Sequence, residues 1–484
     1  MKKILITLFV LICSMPLMAQ RQIELKELQP KAAEVIPVKV ELINNQEVLT
    51  VSHGKNLSTI SPNVRLSANR EYHITARGES VLLNSLEAEG KEKPLISFHT
   101  IDPNINGLNI LGNHVTIKNL RIVDDYNPEN DILYGKNNLT SGNTIGIGSP
   151  EKNVKTLLII GCDFMGSTSS SYIASSQTRS CVVNNCSFSG YMADHAVYCS
   201  MCAETFEVQN CYIKDVSRTT GLFKIRTSSV VESFILSDIK VHNLNGYLAR
   251  ISLLETPTAK ITFQNITVSK DSDNNSTFYG FCITDETESD NLDAISHYNV
   301  GEITISNSTF GYGYNGESLI YPGSEKKVRA KKIKYINVDA VQSNFGGGIS
   351  DELIVEHCSF KECTDNQGIL IASRSVLIDN TSLSRSDRDK GDNLFLINYS
   401  DVTTKSFCLN NVDFNMNVGN LFKINKGEEL DLTIDNCRLP NLSGNLFFAS
   451  RESVLRYKIN NTKSSVGHFK EKSFFMRKYL EQQI

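Results

Sequence analysis

A four-residue phrase recurs along this chain and constrains its fold more than any other feature. It begins with Asn at nine of thirteen occurrences and ends with an apolar residue at twelve. The occurrences are NLRI at 119, GCDF at 161, NCSF at 185, NCYI at 210, DIKV at 238, NITV at 265, NSTF at 307, YINV at 335, HCSF at 357, NTSL at 380, NVDF at 411, NCRL at 436 and NTKS at 461. Most lie 22 to 31 residues apart, with two intervals of 42. Such a period is typical of stacked supersecondary units.

Short runs of alternating apolar and polar residues precede the phrase, among them VTIKN, CVVNN, FEVQN and ITFQN. This alternation indicates strands, and no window shows a sustained apolar period of 3.6 residues. One coil therefore contains two or three short strands, and successive coils stack in parallel. The pattern predicts an all-β fold, a single-stranded right-handed parallel β-helix of about 13 rungs. Asn at the fixed position suits a left-handed turn, and its amide can bond to the next rung.

The cysteines follow the same repeat. Five of the twelve occupy the second position of the phrase, where other rungs carry Leu, Ile, Val, Ser or Thr: Cys162, Cys186, Cys211, Cys358 and Cys437. A position that accepts these residue types faces inward, and a free Cys behaves there as a small buried apolar residue. The repeat therefore predicts buried thiols, although oxidation of stacked neighbours such as Cys186 and Cys211 remains an alternative.

The ends of the chain predict where the protein acts. Lys2 and Lys3 precede an apolar run, and a small residue stands at Ala19, as in a bacterial secretory signal. We expect a signal peptide at 1–19, no membrane span, and export to the periplasm or the cell exterior. An N-terminal segment or cap at 20–64 precedes the β-helix at 65–465. The tail at 466–484 is expected to form a helix that covers the last rung, because open β-helix ends expose unpaired edges.

A second alignment brings two cations together. The segments HAVYCS, GLFKIR, YLARIS and YGFCIT match as strands of one sheet, and Lys224 and Arg250 are 26 residues apart, as the local repeat requires. Both side chains then point outward from neighbouring rungs, at about the 4.8 Å strand spacing.

Three segments near the N-terminus carry a resemblance to known proteins. They are YHITARGES at 72–80, GKEKPLISF at 90–98 and INGLNILGNHVTIKNLRIVDD at 105–125. Over roughly 65–465 the chain resembles the pectate-lyase-like β-helix superfamily, and its opening resembles the chondroitinase B and alginate lyase type. The resemblance implies a polysaccharide lyase with a Lys as base and an Arg on the following rung, an order that Lys224 and Arg250 match. That family places acidic calcium ligands just before the Lys, whereas 216–223 holds no carboxylate. No metal ligand is therefore assigned, and calcium is left open as a cofactor.

The expected chemistry is β-elimination from a uronic acid polymer. It needs a neutralised carboxylate, a base for the C5 proton and an acid for the leaving oxygen. Lys224 is the candidate base, since crowding by cations favours a neutral amine, while Arg226 and Arg250 would bind the carboxylate. The preceding rung supplies candidate substrate-binding residues, Asp194, His195 and Tyr198. The expected partner is an acidic polysaccharide. A net charge of −4 gives no case for nucleic acid, and we expect a monomer.

Other interpretations remain open at this level. Lys224 and Arg250 can be solvated charges on an exposed sheet, as Lys423 in the same position of NLFKIN suggests, and the protein is then a non-catalytic glycan-binding or structural β-helix. The absence of Trp favours that alternative, because indole stacks best on sugars. The basic run at 326–334 and the acidic run at 285–293 are each either a solvated surface or a binding element. A glycoside hydrolase needs two facing carboxylates, and no such pair is evident.

Overall fold

The structure is a computed structural model of the 484-residue chain. It describes residues 38–43, 46–51, 63–68, 71–74, 80–99, 106–127, 142–148, 154–200, 204–226, 232–253, 256–285, 300–321, 329–364, 368–386, 391–399, 402–425, 429–449, 454–464 and 467–477.

The regular secondary structure in these ranges consists entirely of β-strands. In chain order the strands are β1 Val38–Ile43, β2 Gln46–Val51, β3 Asn63–Leu66, β4 Glu71–Ile74, β5 Ser80–Leu82, β6 Ser85–Ala88, β7 Leu95–Phe98, β8 Leu108–Leu111, β9 His114–Lys118, β10 Arg121–Asp125, β11 Ile145–Ile147, β12 Val154–Ile160, β13 Asp163–Thr168, β14 Ser171–Ser176, β15 Thr178–Asn184, β16 Ser187–Met192, β17 His195–Ser200, β18 Thr205–Gln209, β19 Tyr212–Thr219, β20 Phe223–Arg226, β21 Ser233–Gly246, β22 Ala249–Leu253, β23 Thr256–Ser269, β24 Phe281–Asp285, β25 Val300–Phe310, β26 Glu317–Ser318, β27 Ile320–Tyr321, β28 Arg329–Val341, β29 Ser343–Asn344, β30 Ile349–Glu356, β31 Ser359–Lys361, β32 Ile369–Ile371, β33 Ser373–Asp379, β34 Ser382–Ser384, β35 Gly391–Ile397, β36 Ser406–Asn410, β37 Asp413–Asn415, β38 Asn417–Ile424, β39 Glu429–Asp435, β40 Asn441–Leu442, β41 Phe447–Ala449, β42 Val454–Ser464 and β43 Gly467–Arg477.

The strands stack as the repeat predicts, and the fold is a right-handed parallel β-helix. A nine-stranded parallel sheet contains β5, β8, β11, β14, β17, β20, β22, β24 and β27. A five-stranded sheet of β32, β35, β38, β40 and β41 occupies later rungs. A 25-stranded sheet bends at each Asn turn and supplies the other two faces of the coil. Among the described strands, antiparallel pairing occurs at the two ends, between β1 and β2 and between β42 and β43.

The Asn turns have the predicted backbone. Asn119, Asn185 and Asn265 have φ of 54°, 55° and 54°, in the left-handed region that Asn tolerates better than most residues. The amide of Asn265 donates to Asp238 Oδ1 on the preceding rung at 3.0 Å, so neighbouring turns are linked. One register was wrong: in the YINV phrase the left-handed residue is Asn337, with φ of 54°, and the turn begins two residues later than predicted.

The interior of the coil is filled by aligned apolar side chains. Phe164 stacks on Phe188 of the next rung at 5.0 Å, and Phe206 on Phe234 at 5.3 Å, with nearly parallel rings. The prediction of buried thiols is confirmed, since all five cysteines of the phrase are buried and free. Burial raises the pKa of one of them, Cys358, to about 12, so that thiol is protonated at neutral pH.

The ends differ from the prediction at one place. The tail does not form a helix over 467–477, because β43 runs antiparallel to β42 and pairs with it from Val454↔Arg477 to Ser464↔Gly467. A strand satisfies the open edge better than a helix would, since only a strand supplies the missing backbone hydrogen bonds. The proposed signal peptide at 1–19 lies outside the described residues. In the part of the chain that is described, no helix has the length and hydropathy of a membrane span.

Candidate functional site

The outward positions of the nine-stranded sheet form one column along the coil. Backbone register aligns Tyr198 with Lys224, Lys224 with Arg250, Arg250 with Cys282, and Cys282 with Tyr321. The alternate residues of the same strands, such as Phe223 and Ile225, are fully buried in the core. The structure thus places Lys224 and Arg250 side by side on one face, at the strand spacing of about 4.8 Å.

On the N-terminal side of Tyr198 the column contains small residues. Ala174 aligns with Tyr198, Gly146 with Ala174, and Asn109 with Gly146. The face at Gly146 is covered, since an added Cβ there would clash with Asn106 Nδ2 and lie 2.7 Å from Asn109 Oδ1.

Lys224 is not the solvated charge that the alternative interpretation requires. Its exposure is 6%, although it points away from the core, and its Nζ donates to Ser252 Oγ at 2.7 Å. Ser252 lies on the next strand and is itself fully buried, and its hydroxyl also accepts from Thr284 at 3.2 Å. Burial of an amine costs desolvation energy that an exposed amine does not pay. Lys224 is therefore held in a fixed position, unlike an ordinary surface lysine.

Arg250 reaches this place because Gly221 stands beside it. A Cβ added at Gly221 would lie 2.5 Å from the Cβ of Arg250, closer than real Cβ contacts allow. The Nε of Arg250 is buried and has no hydrogen-bond partner among the described residues. Arg250 as a whole is half-buried, and a guanidinium offers five N–H donors to an anion that reaches it.

Asp194 and His195 form a carboxylate–imidazole pair where β17 begins. His195 Nε2 lies 3.0 Å from Asp194 Oδ2, and His195 Nδ1 lies 2.6 Å from the carbonyl oxygen of Gly221. Both partners are acceptors, so the ring satisfies both when each nitrogen carries a proton. The hydroxyl of Thr220 also donates to the Asp194 carboxylate.

The charge of Asp194 is tied to the lysine. Burial alone would raise the pKa of Asp194, but the hydrogen bond and charge of His195, the Thr220 hydroxyl and the charge of Lys224 lower it to about 2. Asp194 is therefore ionised at neutral pH and offsets one of the nearby positive charges. His195 is only 3% exposed, so it positions Asp194 and does not contact a ligand directly.

The remaining predicted residues lie around this centre. Tyr198 is half-buried, and its ring centroid is 5.4 Å from that of His195. Arg226 is exposed and aligns with Ser252, in the outward column next to that of Lys224. The structure thus gathers all six predicted residues on three neighbouring rungs.

One titratable group nearby, the thiol of Cys282, was not predicted. Burial raises the pKa of the Cys282 thiol, against the opposing effect of the positive charges of Arg250 and Lys224. Cys282 is 4% exposed, so the column is covered at this rung as well. Within the described ranges no group of three or more His, Cys, Asp or Glu side chains could hold a metal ion. The acidic run at 285–293 lies almost wholly outside the described residues.

The basic run is a charge-paired surface where it is described. Arg329 contacts Asp351 at 3.0 Å, and Lys334 contacts Glu302 at 3.0 Å. Lys332 contacts Glu352 at 2.6 Å. These partners lie on adjacent rungs, so the run offers little unbalanced charge to an anionic glycan.

Two further surfaces escaped the sequence analysis. Four tyrosines gather next to Arg250, and they are considered below. A shallow groove of about 430 Å³ follows the Asn turns of later rungs and is lined by Asp339, His357, Cys358, Ser359, Asn380, Thr381, Ser382, Asn411 and Asp413. It is the better formed cavity, but its carboxylates would repel a polyanion, and it lacks the buried cations found at Lys224.

Comparison with protein-family models, with curated proteins and with solved structures found no match to this chain.

Proposed function

We propose that the protein is an exported polysaccharide lyase that cleaves a uronic-acid-containing glycan by β-elimination, with Lys224 as the base. The observation that carries the proposal is the pairing of a buried, outward-pointing amine with the guanidinium of Arg250 on the next rung. The resemblance of the opening segments to the chondroitinase B and alginate lyase type supports it.

The carboxylate of the substrate binds first. Arg250 is half-buried, and Arg226 is exposed in the neighbouring column. A guanidinium holds a carboxylate in bidentate fashion and neutralises it, which makes the adjacent C5 proton more acidic. Asp194 disfavours a second anion close to His195, so the carboxylate is directed towards the two arginines.

Lys224 then takes the C5 proton. The C5–H electron pair forms the C4–C5 double bond, and the C4–O bond breaks. The leaving oxygen takes up a proton, which the newly formed ammonium of Lys224 can return, so the enzyme ends as it began. The step requires Lys224 as the neutral amine, whose lone pair accepts the C5 proton.

The test is the ultraviolet absorbance of unsaturated uronate during incubation with alginate, pectate, and chondroitin or dermatan sulfate. Lys224→Met keeps the stem and removes the amine, and we expect the rate to fall by about 10²- to 10⁴-fold, the usual contribution of a general base. Lys423→Met is the matched control, since Lys423 points outward at the same position of a remote rung and lies over the Tyr399 ring. Absorbance from none of the polymers, or an unchanged rate in Lys224→Met, would refute the lyase assignment.

One observation favours a second candidate, a non-catalytic glycan-binding β-helix. The Nζ of Lys224 is already engaged by Ser252 and the residue is only 6% exposed. A lysine used solely to shape the site would look the same. That function predicts binding of a uronate polymer without unsaturated product, and a binding constant that Arg250→Ala weakens.

A further inference from the structure

Four tyrosines form a contiguous patch on the outer surface of the coil. The tyrosine patch consists of Tyr247, Tyr279, Tyr314 and Tyr321. The Tyr247 ring centroid lies 5.3 Å from that of Tyr279 and 6.0 Å from that of Tyr321. Tyr279 lies 5.0 Å from Tyr314, which is 36% exposed. The other three are half-buried, so none of the four rings belongs to the fully buried core.

The patch adjoins the cationic centre on its C-terminal side. Tyr321 follows Arg250 in the outward column, two rungs further on, which places it about 10 Å away along the coil axis. Tyr247 belongs to the same rung as Arg250. Burial raises the pKa of Tyr247, with smaller effects of Cys282 and Tyr321, so its hydroxyl is a stable hydrogen-bond donor.

The rings are not needed to fill the core at these rungs. Beneath them the interior is already packed by Phe278 and Phe281, which are 1% and 0% exposed and meet edge to face at 6.3 Å. On the other side of Lys224 the same outward column holds Ala174 and Gly146. The outward column is thus small beyond Tyr198 on the N-terminal side of the lysine, whereas the tyrosines gather on its C-terminal side.

We propose that the tyrosine patch binds the sugar rings of the same acidic glycan, in subsites that extend from Lys224 along the coil axis towards the C-terminus. This inference rests on the proposed function for the identity of the chain that binds. Half-exposed tyrosines offer an apolar face to the C–H side of a sugar ring and a hydroxyl to its polar edge. The neighbouring cations match the negative charge of a uronate chain. Glu317 is exposed beside the patch and repels the carboxylates of the chain, so sugar faces rather than carboxylates lie over the rings.

The test compares affinity for uronate oligosaccharides of increasing length, measured by titration calorimetry. In Tyr321→Ala and Tyr314→Ala we expect the affinity for long oligosaccharides to fall about two- to tenfold per ring, with no change for a disaccharide that occupies only the cationic centre. Tyr399→Ala is the matched control, because Tyr399 is 40% exposed on later rungs and contacts Lys423 instead. Circular dichroism verifies that each variant is folded.

The outcomes separate this inference from the lyase assignment. Binding that depends on length and on the tyrosines, without unsaturated product, retains the patch and removes the lyase. Lyase activity with unchanged length dependence in both variants removes the patch and retains the lyase. A wild-type protein that binds none of the oligosaccharides overturns both.

Discussion

Replacement of Asp194 by Asn tests the charge arrangement on which the candidate site depends. Asn keeps the size of the side chain and can still accept from His195 and Thr220, but it removes the negative charge. The substitution therefore isolates the electrostatic part of the interaction with the His195 ring, which lies 3.0 Å away, and with Lys224.

The magnitude follows from the pKa of Asp194, which is lowered from 3.8 to about 2. A tenfold change in proton affinity is about 1.4 kcal/mol, so the ionised carboxylate stabilises the folded rung by roughly 2 kcal/mol. Because the folded pKa lies below the unfolded one, this contribution is complete above pH of about 4 and is lost as the pH falls through about 2. We expect Asp194→Asn to cost roughly 2 kcal/mol at pH 7 and almost nothing near pH 2.

The assay must be local, because rungs of a solenoid contact mainly their neighbours and the chain need not unfold in one step. Amide hydrogen exchange of peptides from 194–200 and 219–226 reports the opening free energy of these strands at pH 7, 5, 3 and 2. Asp413→Asn is the control, since Asp413 is 55% exposed and lies 3.9 Å from Arg438, a geometry worth at most about 1 kcal/mol.

A difference between Asp194→Asn and wild type that stays constant from pH 7 to pH 2 would refute the reasoning. It would mean that the substitution acts through packing and that the carboxylate is not held by the charges of His195 and Lys224. The description of the site as a balanced set of buried charges would then be wrong.

Two further predictions concern the backbone around the site and at the corner. Gly221→Ala should weaken uronate binding, because the added Cβ displaces Arg250. Gly90→Ala is the control, since an added Cβ there meets nothing within 4 Å. Equal binding by the two variants would contradict the close contact between Gly221 and Arg250. Asn265→Ala should destabilise its rung by about 1–2 kcal/mol, because Ala resists the left-handed φ of 54°, and Asn265→Gly should cost less. Local hydrogen exchange distinguishes the two substitutions, and equal losses would indicate that the amide bond to Asp238, not the backbone, governs the corner.

The fold followed from the sequence because its periodicity reports directly on geometry. Asn at a fixed position marks a left-handed corner, and Cys at the next position marks the interior, as Asn185 and Cys186 show. The register failed at YINV because Tyr335 is an ordinary strand residue that alternates inward, and only the left-handed Asn337 identifies the corner. The prediction of a helix in the tail failed because the unpaired edge, which the sequence analysis expected, is satisfied by the backbone of a strand, and the residue pattern of the tail alone does not show this.

The site was only partly accessible to the same reasoning. Alignment of strands predicted that Lys224 and Arg250 are neighbours, since backbone register alone determines that. The burial of Lys224 depends on what covers an outward position, and a repeat pattern carries no such information. Part of the tyrosine patch could have been predicted, because Tyr247 and Tyr279 begin the aligned segments YLARIS and YGFCIT. The contact of Tyr279 with Tyr314 joins two segments that the repeat does not align, so the sequence did not reveal it.

The reversed strand at the C-terminus also limits how copies of this molecule can associate. A parallel coil left open would offer its final edge to the first coil of another molecule, and the two could join into a filament with a continuous hydrogen-bond pattern. Here that edge on Val454–Ser464 is occupied by Gly467–Arg477, which runs in the opposite direction. An incoming coil would meet a strand that runs in the opposite direction, so it could not continue the parallel pairing of the coil at this edge with its Asn corners in line.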